Sequence, residues 1–355
     1  MFLTTSVHFL FLVFLGMLSL VLFLIIIVLI YSFYQYRESV QIFKWSEVIN
    51  KKISEVIVYG EEDRSADTDF SAASASPSFR NLFLQKLAES EKKFSGAAQN
   101  KLKDLFQEYG LQEEALKKLN QKKEHIIAGG IQELTAMQVE EALPKISTFL
   151  THHSAQVYQE AQYAMVNFKG FEGLHFLNSI SSKISEWQQL RLLISITHVP
   201  ENSGDSIKKW MESSNDSVVI FTLKLLRKFQ ILSLYPTVTG LLGHSSVDIR
   251  IQAVQTLLSL ENSSTIAHLM ETYPHQPNEV QKEILKVMKK SKDQFSTDFL
   301  KNQLLNNADT GIKVYAAEAL CALDKQEYLT EISQDETSSE ELVQIIKYAL
   351  QEKVC

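Results

Sequence analysis

The sequence predicts an all-α chain: a single N-terminal transmembrane helix, then an α-solenoid of helical hairpins stacked on one another. Three observations predict it. Glycine (12) and proline (6) are scarce among 355 residues while Leu, Ile, Glu, Lys and Gln dominate, which suits a mostly helical chain without a Gly-rich nucleotide loop. Residues 9–30 carry no charge. From Val139 onward, a pair of apolar residues four apart recurs with a period near 31 residues.

In residues 9–30 only Gly16 and Ser19 dilute Leu, Ile, Val, Phe and Met, and a bilayer core needs about 20 such residues. A cleavable signal peptide has a basic start, a shorter apolar run and a small-residue cleavage site. Here no Lys or Arg precedes the run, and Tyr31, Phe33, Tyr34 and Tyr36 follow it. Residues 1–36 are therefore expected to be a retained anchor. Arg37, Lys44, Lys51 and Lys52 follow the span and none precedes it, so the positive-inside rule places the N-terminus outside and the rest in the cytoplasm, an expected single-pass protein of the inner (cytoplasmic) membrane. These cations are expected to meet anionic head groups. Cys321 and Cys355 are the only cysteines, too few for a disulfide framework. The formal charge of −7 lies wholly after the anchor and argues against nucleic acid as a partner.

In residues 37–60, Ile42, Trp45, Ile49, Ile53, Val56 and Ile57 recur in steps of one, three and four, the pattern of a helix with one apolar stripe. This juxtamembrane helix extends the anchor or lies on the membrane. Residues 61–78, EEDRSADTDFSAASASPS, are acidic and then rich in Ser and Ala, as in a flexible linker. A helical pre-domain follows over 79–138, and the repeats occupy 139–355.

The repeat is carried by Val157 with Ala161, Val219 with Leu223, Ile249 with Ala253, Val280 with Ile284, and Ile312 with Ala316. The successive gaps are 62, 30, 31 and 32 residues, and the first is two periods. Its skipped member falls on Gln188 and Leu192, and one further step reaches Val343. A polar break such as ESSNDS at Glu212, GHSS at Gly243 or NADTG at Asn307 precedes each of these helices, and a shorter amphipathic segment precedes each break. Each unit thus reads helix, turn, helix, and neighbouring units must stack to bury their stripes. A non-repetitive bundle has no reason to hold one period through five gaps.

VDIRIQAVQTLLSL, with Asp248 and Arg250 near the turn, and GIKVYAAEALCAL, with Lys313, resemble second helices of HEAT repeats. The resemblance covers residues 139–354 and implies that Asp248, Arg250 and Lys313 form a ladder between units. The whole layout resembles bacterial membrane-anchored HEAT-repeat proteins. Its pre-domain likeness rests on YGLQEEALKKLNQKKEHIIAGGIQELTAMQ, where Gly129 and Gly130 fall between or within helices.

No Walker loop, GxGxxG, GxSxG, HExxH or CxxC is present. His152 and His153 are adjacent, so their side chains are expected to diverge, and no acid or cysteine has zinc spacing to them. Cys321 lies in an apolar face and is read as a small buried hydrophobe. No catalytic residue, cofactor or metal is expected.

Trp187, at a helix start in SEWQQLRLL, is assigned first to filling the joint between units and second to a docking surface. In SVVIFTLKLLRKF, a buried face of Val219, Leu223 and Leu226 leaves Ile220 and Phe221 pointing elsewhere. With Lys224 and Arg227, these two form a candidate partner-binding patch. The expected function is a non-enzymatic, membrane-tethered scaffold whose cytoplasmic repeats bind a protein. The resemblance suggests a membrane-embedded partner such as a polysaccharide-synthesising glycosyltransferase. The alternatives are a HEAT-like enzyme or cofactor-handling protein of lyase or glycosylase type, and a structural protein of the lipid surface.

Overall fold

The computed structural model of the chain describes residues 2–59, 68–260 and 262–351, with side chains from residue 9 onward except at 68 and 69. Among the described residues every regular element is helical and none is a strand. The chain divides into two compact units, Met1–Phe168 and Lys169–Cys355. The division falls about 30 residues beyond the expected start of the repeats, because the first step-of-four helix is buried with the N-terminal unit.

The first unit contains α1 (Phe2–Tyr59), α2 (Thr68–Ser74), α3 (Pro77–Glu91), α4 (Ala97–Glu108), α5 (Gln112–Lys118), α6 (Glu124–Ala136), α7 (Leu143–Ser147) and α8 (Ala155–Lys169). The anchor and the juxtamembrane stripe are one unbroken helix, since no Gly or Pro interrupts residues 17–59. Its apolar half is long enough to cross a membrane and none of it is buried within the protein. Its distal half does not lie free. Ile49, Ile53 and Val56 are buried, and α1 packs on α3 and α4.

The expected linker is corrected in part. Residues 61–67 lie outside the described residues, but Thr68–Ser74 is helical and Phe70 is 1% exposed at the centre of the unit. Its ring meets Phe79, Phe83 and Tyr109 edge-on, each at 5.2 Å between centroids. A Ser/Ala-rich composition looked like a tether because it contains one large apolar side chain, and one aromatic of this size is enough to dock a short helix.

α3 is tied to α5 by Arg80, whose Nε donates to Glu114 Oε1 at 2.8 Å and whose Nη2 donates to the Gly110 carbonyl at 3.0 Å. That guanidinium holds the Glu114 carboxyl below the ordinary glutamate range. α5 and α6 approach so closely that a Cβ on Gly130 would lie 2.8 Å from Lys118 Cβ and 3.1 Å from the Ala115 carbonyl oxygen, whereas one on Gly129 would meet nothing within 4 Å. Adjacent glycines in the same helix therefore have opposite roles. Gly130→Ala is expected to destabilise the unit by about 1–3 kcal/mol through overpacking. Gly129→Ala should stabilise it by about 0.5–1 kcal/mol by removing backbone entropy from the unfolded chain. Urea unfolding of the two variants checks this, and equal effects would contradict the close approach.

The second unit alternates short and long helices. The long ones are α9 (Glu186–Ser195), α11 (Asp216–Phe229), α13 (Val247–Ser259), α15 (Asn278–Ser291), α17 (Thr310–Ala322) and α19 (Glu340–Gln351). Between them run the shorter α10 (Gly204–Met211), α12 (Tyr235–Gly240), α14 (Thr265–Thr272), α16 (Thr297–Asn306) and α18 (Gln326–Gln334). Each long helix packs against the next long one, and α10, α12, α16 and α18 pack on the long helix that follows them. Val219, Leu223, Ile249, Ala253, Val280, Ile284, Ile312 and Ala316 are all buried, the face the spacing selects. The last register shifts by one: Leu342 and Ile346 are buried while Val343 is only half-buried.

The polar breaks cap these helices. Asn215 Oδ1 accepts from the Ser217 amide at 3.1 Å and Asp309 Oδ1 from the Ile312 amide at 2.9 Å, satisfying amides that a helix start leaves unpaired.

Candidate docking surface

The candidate surface of the second unit is built on α9, α11 and α13, and the structure rearranges the residues chosen for it. Phe221 is 0% exposed and belongs to the core, which corrects its place in a partner-binding patch. α11 lies between two long helices and also carries α10. Covered on three sides, it buries Val218, Val219, Phe221 and Thr222 in one turn, where a single-stripe reading allows only one or two. Ile220 is half-buried.

Lys224 and Arg227 are half-buried and engaged with neighbouring helices. Lys224 Nζ donates to Gln189 Oε1 of α9 at 2.8 Å, and Arg227 Nη1 to Gln255 Oε1 of α13 at 2.9 Å. Gln255 then donates to Glu283 Oε1 of α15 at 2.7 Å, and Lys289 of α15 to Glu318 Oε2 of α17 at 3.0 Å. A polar ladder thus runs from α9 to α17. Its members are mostly Gln, Glu, Lys and Arg in helix middles, so no motif near a turn announces them.

The expected ladder residues divide. Arg250 donates to the His244 carbonyl of its own turn and, at 3.3 Å, to Gln276 Oε1 of the next unit. Lys313 pairs with Glu341 at 3.5 Å. Asp248 is exposed, and no partner for it is found among the described residues, so it does not join the ladder. It instead lines a polar groove of about 880 Å³ with Ile220, Lys224, Lys183 and Glu186. Asn215 shapes that groove by donating to the Ser182 carbonyl at 2.9 Å. Neither Trp187 nor Arg227 is among the groove's walls.

Trp187 is 69% exposed, which corrects its assignment to the joint between units. The core tryptophan is Trp210 of α10, 1% exposed, with its Nε1 donating to Asn178 Oδ1 at 3.0 Å and its ring 5.3 Å from Phe171. α9 is inverted in polarity. It buries Gln188, Gln189 and Leu192 and exposes Trp187, Leu190 (48%) and Ile194 (69%). The spacing of three and four puts these three on one side of the helix. Burying Gln189 is tolerable because its Nε2 donates to the Ile184 carbonyl at 3.0 Å while its Oε1 accepts from Lys224. The signal was legible, since the buried step of four at Gln188 and Leu192 leaves Trp187, Leu190 and Ile194 on the other side.

His152 and His153 do not diverge: their rings lie 4.3 Å apart, and His153 Nε2 is 2.9 Å from Glu124 Oε1. No group of metal-binding side chains occurs among the described residues. Cys321 is 3% exposed, and Cys355 lies outside the described residues.

No family model and no curated protein matches the chain. Among solved structures, an engineered protein from the Northeast Structural Genomics Consortium aligns over 85% of this chain and 87% of its own, at 15% identity and a TM-score of 0.34. The complex of CpcE and CpcF of phycocyanin lyase from Nostoc sp. PCC7120 aligns over 84% of this chain and 92% of its own, at 11% identity and a TM-score of 0.25. TM-scores this low carry no conclusion about activity or about the finer class of fold.

Proposed function

We propose that this protein is a non-enzymatic, membrane-tethered adaptor: α1 crosses the inner membrane, and the paired helices of the second unit form a HEAT-like α-solenoid in the cytoplasm that docks a protein partner. The observation that carries the docking role is the exposed stripe of Trp187, Leu190 and Ile194 on a helix that hides its glutamines. Contiguous exposed apolar side chains rimmed by polar residues mark interaction sites, and Trp is enriched where binding energy concentrates. The tether is supported by a helix apolar and long enough to cross a bilayer, and its orientation by Arg37, Lys44, Lys51 and Lys52 after the span. Tethering multiplies the effective concentration of a partner in the same membrane. A membrane-embedded enzyme of polysaccharide synthesis is the partner class to try first.

Photo-crosslinking from positions 187 and 194 in intact membranes tests this reading, with the groove position 220 as control. One partner band is expected from 187 and 194, and Trp187→Ala should weaken its retention roughly 30-fold, the effect of losing about 2 kcal/mol at a hot spot. A chain that is membrane-bound but yields no adduct from either position would remove the docking role.

A further inference from the structure

The first unit holds an amphiphilic groove that the adaptor reading does not use. It has a volume of about 990 Å³ and lies between α1 on one side and α3, α5 and α6 on the other. Tyr34, Arg37, Gln41 and Trp45 line it from α1, at intervals of three and four that place them on one helix face. Below it α1 is packed tightly through Ile49 and Ile53, and Trp45 closes the lower end against Phe79 at 5.7 Å.

The groove begins where the apolar span stops. Tyr34 is four residues past Ile30 and Arg37 seven, or about 6 and 10 Å at the rise of an α-helix. The head-group layer is roughly 5–7 Å thick on each side of a bilayer, so Tyr34 stands at its outer part and the Arg37 backbone about 3–5 Å beyond it, a gap that a long arginine side chain spans by reaching back toward the head groups. The walls are two-natured: Ile42, Trp45, Leu82 and Ile126 supply apolar surface, while Arg37 and Lys117 supply charge.

The other charged groups in the groove are mostly neutralised. Glu114 is held by Arg80 at 2.8 Å and Lys118 by Glu133 at 2.6 Å. Lys117 has a loose, exposed pairing with Glu113 at 3.8 Å and stands near enough to Glu114 to help lower its carboxyl pKa, and among the described residues Arg37 and its neighbour Glu38 form no ion pair. Two cations thus remain available against one carboxylate, beside an apolar wall and next to the membrane.

We propose that this groove binds one anionic phospholipid, drawn partly out of the leaflet that α1 crosses, with its phosphate at Arg37 and Lys117, its glycerol and first methylenes on the bilayer side of them against Tyr34, and the rest of its head group filling the groove toward Leu82. The premise that α1 crosses a bilayer is shared with the adaptor reading, but the docking stripe is not involved. The bound lipid fills the wedge between the membrane helix and the pre-domain, setting how the first unit stands on the membrane.

Native mass spectrometry of the full chain in detergent, with added phosphatidylglycerol or phosphatidylcholine, tests the site, and carbonate-resistant membrane association tests the premise separately. One phosphatidylglycerol per chain is expected, retained at least tenfold better than phosphatidylcholine. Arg37→Gln with Lys117→Gln should abolish that preference. Lys92→Gln with Lys93→Gln, an equal loss of charge outside the groove, should leave it intact. Leu82→Trp, which fills the groove without changing charge, should also exclude the lipid while circular dichroism and the melting temperature report an intact fold. Equal retention of both lipids, or unchanged retention in the Arg37/Lys117 variant, would overturn the proposal. Loss of membrane association altogether would instead remove the shared premise and with it both readings.

Discussion

Phe221→Ala is expected to lower the stability of the second unit by about 3–5 kcal/mol, the cost of deleting a fully buried aromatic and leaving a cavity. The ring is 0% exposed in a helix covered by α9, α10 and α13, so its neighbours cannot all move inward to fill the void. Ile220→Ala, one position earlier, should cost about 1 kcal/mol or less, because Ile220 is half-buried at the edge of a groove and its removal opens the groove instead of a cavity. Urea unfolding of the full chain in detergent, followed at a probe in the second unit, separates the two. If both variants lost similar stability, α11 would not be the enclosed helix described above.

Lys118→Met is expected to cost about 3–5 kcal/mol at neutral pH, since it removes the partner of a buried carboxylate. Lys118 Nζ donates to both oxygens of Glu133, at 2.6 and 2.8 Å, and the Glu133 side chain is 9% exposed. Burial already pushes the Glu133 carboxyl above the ordinary glutamate range, with the Lys118 charge opposing that shift in part. A raised carboxyl pKa favours folding while the group is protonated. Its contribution is full below the unfolded value, near 4.3, and declines as pH rises through the folded value. Removing Lys118 moves the folded value higher still, so the difference between variant and wild type should be large at pH 7 and shrink toward pH 4. Replacing both partners, Lys118→Met with Glu133→Leu, should recover most of the loss, because a well-packed apolar pair needs no desolvation of charge. A deficit in Lys118→Met that stayed constant from pH 4 to pH 7 would assign Lys118 a packing role alone.

The step-of-four pattern was legible because a buried helical face must repeat every three or four residues wherever it packs. Ile249 and Ala253, or Ile312 and Ala316, need only this local rule. Phe221 was misread because a single-stripe rule suits a helix with one covered face, whereas α11 has three. Phe70 was hidden by its Ser- and Ala-rich surroundings. Of the three ladder residues that the HEAT-repeat resemblance implies, Arg250 and Lys313 do reach the next unit, at Gln276 and Glu341, while Asp248 does not, and the ladder that joins α9 to α17 runs through Lys224, Arg227, Gln255, Glu283, Lys289 and Glu318. Which polar side chain meets which depends on how far each helix is rotated against the next, and composition carries no record of that rotation.

By itself the sequence determined the helical class, the apolar stretch long enough to cross a membrane, and the faces of the long helices that are buried. Those properties depend on period, length and hydropathy along one segment. Only the tertiary structure decided that α1 packs on the pre-domain, that Trp210 and not Trp187 fills the core, that α9 shows its apolar side, and that Arg37 and Lys117 face one groove. Each of these depends on surfaces distant in sequence meeting in space, where the area one segment buries is set by the shape of another.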